Sequence, residues 1–270
     1  MRRTRGGYTI IEVLVVLTVG VIIFFAAITL FAGKQGKTEF SQSMRDVEAQ
    51  MQSVVNDVSV SLFPNEDKYD CTVTGGGRPT LAPSSEGTGT SQDCIFLGKA
   101  VYIDNSSDPN RLLVYTVIGS RLDNSGNLIS QINDPASFLN ARPEAFTPDT
   151  GSGSAPDITE KYQIPFSATV VSARTEKNLG NSQTYLVGFY NGQQSSTDQG
   201  SLSLMTLGYT NLTNASQVAA SIRNNAPRSG EITKSWNICF QSGTSNEMAT
   251  LKVLSSSAGI STSVNYGTCS

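Results

Sequence analysis

The 270-residue chain contains no histidine. That absence removes His-based triads, imidazole acid–base catalysis and His-ligated metals together. Charge is also sparse, at 15% of residues with a formal net charge of −3, so bulk attraction to nucleic acid or anionic lipid is not expected. Cysteine is limited to Cys71, Cys94, Cys239 and Cys269, and no pair shows the short spacing of about two to four residues used by four-Cys metal sites. The glycine triplet Gly75-Gly76-Gly77 lacks the Lys and the strand-to-helix setting of a phosphate-binding loop. Asp104, Asp108, Asp123 and Asn127 could offer oxygens to calcium, but neither stretch has the twelve-residue pattern with a closing Glu, and turn formation is the better reading. Serines are so abundant that one near a lysine carries no information. The residues therefore give no positive support to an enzyme, and neither a cofactor nor a metal is expected.

What the sequence does have begins at its N-terminus. Arg2, Arg3 and Arg5 lead into Gly6-Gly7 and Tyr8-Thr9-Ile10-Ile11-Glu12, after which the twenty residues from Val13 to Ala32 carry no charge. A helix of that length spans roughly 30 Å, the hydrocarbon thickness of a bilayer. Three arginines before the span, with no acid among them, put the N-terminus on the cytoplasmic side and everything after Gly33 outside, against the weaker pull of Lys34 and Lys37. An ordinary secretory signal has a shorter apolar region and a small-residue cleavage site, where this chain offers only Leu30-Phe31-Ala32. A lipoprotein signal needs a cysteine just past the apolar run, and the first is Cys71. A plain membrane anchor would leave Glu12 as a chance acid near the interface. Drawn toward the bilayer centre, that carboxylate costs up to about 3 kcal/mol, which makes it a functional residue by default.

Gly6-Gly7 followed by Tyr-Thr-Ile-Ile-Glu and a long apolar stretch resembles the prepilin signature of type IV pilins and pseudopilins. The resemblance implies cleavage between Gly7 and Tyr8 by a prepilin peptidase and N-methylation of Tyr8. It also implies an assembly role for Glu12, whose carboxylate would neutralise the N-terminus of a neighbouring subunit in a filament. Loss of the leader's three arginines would take the net charge from −3 to −6. Many major pilins have proline where this chain has Thr29, a departure that leans toward a minor pilin or pseudopilin. Gly20, Gly33 and Gly36 could still loosen the helix, each costing about 1 kcal/mol relative to Ala.

Beyond the span, Phe40, Met44, Val47, Met51, Val54, Val58 and Leu62 recur at steps of three and four, and Glu39, Arg45, Asp46, Glu48, Gln52 and Asp57 fall on the opposite face. This is an amphipathic helix continuing the first, about 55 residues in all, with its apolar stripe against a sheet and Pro64 as its stop. Asn65 to Asp93 reads as a surface loop. Ile95 to Ile103 and Arg111 to Leu122 read as strands, and Asp123 to Asn127 as a turn toward Leu128 to Ile132. Asn133 to Glu160, rich in proline, glycine and serine, reads as a long excursion. Thr184 to Tyr190 and Ser201 to Tyr209 form hairpin arms linked by Asn191 to Gly200, and Leu212 to Asn224 a short helix before Pro227. Trp236 to Phe240, Ala249 to Ser255 and Ile260 to Val264 close the chain as three strands, with Gly243 and Gly259 in the turns. This last stretch is similar to the C-terminal end of the minor pilin and pseudopilin group that includes FimT and GspH.

The four cysteines lie beyond the span and in an oxidising compartment read as two disulfides. Three connectivities are open. Cys71 with Cys94 and Cys239 with Cys269 is favoured because sequential pairing staples two loop-bearing regions locally, each for roughly 3 to 4 kcal/mol in the chain-entropy view. The expected fold is α+β and pilin-like: leader 1-7, transmembrane and filament-core helix 8-32, amphipathic continuation 33-63, and a disulfide-bonded β-rich head 64-270 on an antiparallel sheet.

The expected function is a structural subunit, a minor pilin or pseudopilin of a type IV pilus or type II secretion filament. Its partners would be prepilin peptidase, other subunits and an inner-membrane assembly platform. It would sit as a single-pass protein of the cytoplasmic membrane with the head outside, then enter an extracellular filament or periplasmic pseudopilus. The alternative is a filament-tip binding module, an adhesin or DNA-uptake component on the same scaffold. A basic patch would favour DNA, and Arg174, Lys177, Arg223, Arg228 and Lys234 are scattered candidates for one.

Overall fold

A computed structural model describes residues 8–60, 69–73, 77–83, 93–104, 108–123, 125–129, 135–145, 159–176, 183–192, 201–208, 212, 214–224, 232–256 and 259–269. The leader with Gly7, the proline stop at Pro64, Gly75 and Gly76, Gly200, Pro227, Lys177 and Arg228 lie outside these residues.

The helix α1 runs from Ile10 to Ser59, 50 residues, through Gly20, Gly33 and Gly36 without a break. It ends ahead of Pro64. The Val60 N–H still bonds to Asn56 O at 3.0 Å, but its φ of −91° and ψ of 4° leave the helix. There the Ser59 hydroxyl donates to Asn56 O at 2.7 Å, sharing that carbonyl with the Val60 N–H.

The strands are β1 (Tyr69–Val73), β2 (Pro79–Pro83), β3 (Cys94–Ile103), β4 (Arg111–Ser120), β5 (Glu144–Ala145), β6 (Glu160–Gln163), β7 (Thr169–Thr175), β8 (Leu186–Gly192), β9 (Ser201–Gly208), β10 (Ile232–Thr233), β11 (Ser235–Gln241), β12 (Met248–Ser256) and β13 (Gly259–Tyr266). Two short helices, α2 (Pro135–Asn140) and α3 (Ala215–Asn224), and one 3₁₀ turn at Pro165–Ser167 complete the elements. All strand pairs are antiparallel. One sheet has the order β10-β9-β8-β3-β4-β5 with β6 also on β4, a second the order β13-β12-β11-β7, and β1 and β2 form a separate hairpin.

The helix and both larger sheets share one apolar core. Phe40, Met44, Val47, Met51, Val54 and Val58 are at most 2% exposed, so these six residues of the stripe read from the sequence form the packing face, while its seventh, Leu62, lies outside the described residues. It lies on β3, β8, β12 and β13. The continuous apolar runs in β3 and β4 have a physical reason: they are buried over most of their length on both faces. Lys99 faces α1, and the neighbouring strand presents Phe189 on that face and Tyr190 on the other, where Phe138 of α2 meets the Tyr190 ring edge-on at 4.3 Å. Gly188 leaves the space that this ring occupies, since a Cβ there would stand 2.3 Å from it.

Four expectations need correction. Asn65 to Asp93 is not only loop, because β1 and β2 pair within it in register from Tyr69↔Pro83 to Val73↔Pro79. Asn133 to Glu160 is not a plain excursion, since α2 and β5 lie inside it and β6 starts at its end. The strand β7 was not foreseen, its apolar residues being interleaved with Ser, Arg and Thr. Asp57 is not purely a solvent-face residue: its carboxylate pairs with buried Lys99.

The disulfides are Cys71–Cys94 and Cys239–Cys269, with Cα separations of 6.1 and 5.6 Å. The first ties the β1–β2 hairpin to the start of β3. The second ties the chain end after β13 back to β11.

Candidate functional site

The sequence changes character within α1, and the structure follows it. From Ile10 through Ile28 the described side chains stand free of the head, whereas Phe40 onward is core. Ile22 is 69% exposed and Met44 is 1% exposed on one unbroken helix. The first half is long and apolar enough to cross a membrane, and no part of its most apolar stretch is buried in the head. The threonine hydroxyls within this stretch are satisfied inside the helix. Thr18 donates to the Leu14 and Val15 carbonyls at 3.0 and 2.9 Å, and Thr29 to Ala26 O at 3.0 Å. Such back-bonding lets a hydroxyl enter an apolar medium without an unpaired donor. At Thr29 it also leaves the helix unkinked.

The start of the helix is built by Thr9. Its backbone is extended, and its hydroxyl accepts from the Glu12 N–H at 3.3 Å while its carbonyl accepts from Val13 N at 3.2 Å. Thr9 and Glu12 stand at the spacing of a capping box, a signal that was available in the sequence and gives Glu12 a second role. An acid in the first turn is favoured by the helix dipole whatever else it does. Tyr8 is 84% exposed, and Tyr8, Glu12, Val13, Val16 and Leu17 share one face near the helix start.

The head takes hold of the helix at Gly36. This glycine is buried under the β11–β12 turn, where a Cβ would come within 3.2 Å of Thr244 Oγ1. Gly36 is therefore a point of close approach. Next to it Lys37 pairs with Glu247 at 2.7 Å, which raises the Lys37 pKa above its ordinary value through the hydrogen bond and the charge of Glu247. Further along, Ser43 donates to Pro165 O at 3.0 Å and Gln52 to Thr262 Oγ1 at 2.9 Å.

The other candidates serve local structure. Asp104 pairs with Arg111 at 2.6 Å, and Asp108 accepts from the Asn110 N–H at 3.2 Å. Asp123 accepts from the Asn127 and Ser125 N–H groups at 2.8 and 2.7 Å, which holds its carboxyl below the usual range. These are turn roles. Among the described residues, no three acidic or sulfur side chains gather as a metal site would require. Of the basic candidates described, Arg174 lies on β7, Lys234 between β10 and β11, and Arg223 on α3, where Glu144 holds it through Nε at 2.9 Å.

Comparisons with protein-family models, with curated proteins and with solved structures find no match to this chain.

Proposed function

We propose that this chain is a filament subunit of the type IV pilin or pseudopilin kind, processed at Gly7–Tyr8 and assembled through the first half of α1. The observation that carries the reading is the division of α1: an apolar half wholly outside the head, continuous with a half locked into it. A free apolar helix of this length needs lipid or other helices around it. One helix continuous with the head would let it exchange one for the other without unfolding. The Gly-Tyr-x-x-x-Glu spacing supports the same reading, because cleavage before Tyr8 would create an amine one helical turn from Glu12. In a filament core both charges would leave water together and meet across subunits. Before assembly the chain would sit in the cytoplasmic membrane with its head outside.

N-terminal peptide mass spectrometry of the membrane-extracted chain tests this. The expected mature chain begins at Tyr8, with a methylated amine, and Gly7→Leu keeps its leader. A native terminus near Gly33, or an intact Met1 in cells that contain a prepilin peptidase, would refute the proposal.

A further inference from the structure

Lys99 is the one lysine among the described residues that the fold buries, at 2% exposure, and the filament reading gives it no task. Its Nζ lies 2.7 Å from Asp57 Oδ2 of α1 and 2.5 Å from Glu160 Oε1 of β6. It stands directly opposite Thr116 of β4 on one side and Phe189 of β8 on the other, both buried. The Thr116 hydroxyl is buried without a hydrogen-bond partner among the described residues. A primary amine, two carboxyls within its reach and an unused hydroxyl thus share an apolar wall. Burying the ammonium beside two partly exposed carboxylates brings little net stability, since its desolvation offsets the attraction. Condensing the pair would remove both charges.

We propose that Lys99 and Asp57 form an intramolecular amide cross-link, with Glu160 relaying the proton. The Glu160 carboxylate takes a proton from the Lys99 ammonium, and the freed lone pair on Nζ attacks Asp57 Cγ. The new C–N bond forms as one Cγ–O bond breaks. The departing oxygen leaves as water with two of the three ammonium hydrogens, one delivered through Glu160, which ends unchanged. Ammonium and carboxylate become amide and water, with charge balanced and no oxidant or co-reactant. Thr116 shares the sheet face of Lys99, and its buried hydroxyl is a candidate donor to the oxygen that becomes the amide carbonyl. Asp57 and Glu160 remain partly exposed, so the water has a way out. Held neighbours of this kind reach effective concentrations of about 10⁵ M or more, which lowers the barrier to a condensation that is slow between free groups in water. The bond would fasten the last turn of α1 to the centre of the larger sheet. Nothing in this inference depends on the filament reading.

The test is peptide mapping of the detergent-extracted, folded full chain after reduction and alkylation. The expected result is one linked species joining the Asp57 and Lys99 peptides, lighter by one water than their sum. Glu160→Gln is expected to lose most of the cross-link while keeping both disulfides and the far-ultraviolet spectrum of the wild type. Lys99→Arg abolishes the linkage and controls for misassigned peptides. Wild-type protein whose Asp57 and Lys99 peptides appear only as separate species overturns the proposal. Undiminished linkage in Glu160→Gln overturns the proton relay.

Discussion

At the scale of single residues, Glu12 has a place at the helix start and, in the proposed filament, a second and separable duty. Its place three residues after Thr9 favours the helix start through the dipole, a surface effect of about 0.3 to 1 kcal/mol. In a filament its charge would meet a neighbour's amine, where loss of one partner strands the other away from water. Glu12→Gln and Glu12→Val are therefore expected to insert and be cleaved like wild type, yet to enter filaments poorly. Immunogold labelling or pull-down with sheared filaments reads this subunit's own incorporation. Full incorporation of the valine variant would reduce Glu12 to a helix-start acid. Tyr162 is a second informative residue. Burial, helped by the nearby Asp46 charge, pushes its phenol from 10.0 up to about 12, and its hydroxyl has no partner among the described residues. Because the fold holds the phenol neutral while the unfolded chain ionises from about pH 10, stability is level below about pH 10 and falls as pH rises toward 12. Tyr162→Phe is thus expected to leave neutral-pH stability nearly unchanged and to flatten the alkaline loss between those limits, as followed by denaturant melts across pH.

At the scale of elements, α1 is one helix with two energetic characters. Met44 is 1% exposed beneath the sheets, and Met44→Ala is expected to cost the head about 2 to 5 kcal/mol in a denaturant melt. Val16 is 69% exposed and touches nothing in the head, so Val16→Ala is expected to change the same melt by less than about 0.5 kcal/mol. Equal losses would mean that the two halves fold as one unit. This division was legible before any coordinates, because the uncharged run and the three-four stripe are periodic signals over many residues. β3, β4, β8, β9 and the last three strands were legible for a similar reason, as β-branched and aromatic runs bounded by turns. β1, β2, β5 and β6 were not: they have two to five residues and lie among Gly, Ser and Pro, whose local preference is for turns, so pairing decides their state, within one hairpin for β1 and β2 and with the distant β4 for β5 and β6. The Thr9 cap was readable from its spacing to Glu12. The Asp57–Lys99–Glu160 cluster was not, since it joins three elements through pairings 42 and 61 residues apart.

At the scale of the molecule, the boundary between what the head needs and what it merely carries falls near Gly36. From that residue onward the helix is covered by the β11–β12 turn, the 3₁₀ turn and the β13 edge, and its apolar stripe belongs to the same core as both sheets. Before it, the described part of the helix adds apolar surface and no contact with the head. A chain that begins at Lys34 is therefore expected to fold with the stability of the full-length head, since none of the described side chains before it is buried. Both disulfides lie wholly within that piece, so their pairing is expected to survive the truncation. Size-exclusion chromatography without detergent, together with non-reducing peptide mapping, checks this: a monomer with Cys71–Cys94 and Cys239–Cys269 is expected. Cutting further, to begin at Val47, removes Phe40 and Met44 from the core and uncovers the sheet beneath them. That shorter chain is expected to aggregate or melt several kcal/mol earlier, by loss of about 1.5 to 3 kcal/mol of burial for each large apolar side chain. Aggregation of the Lys34 chain would instead show that the head depends on the first half of the helix, and the proposed exchange of lipid for neighbouring helices would then have to disturb the head as well.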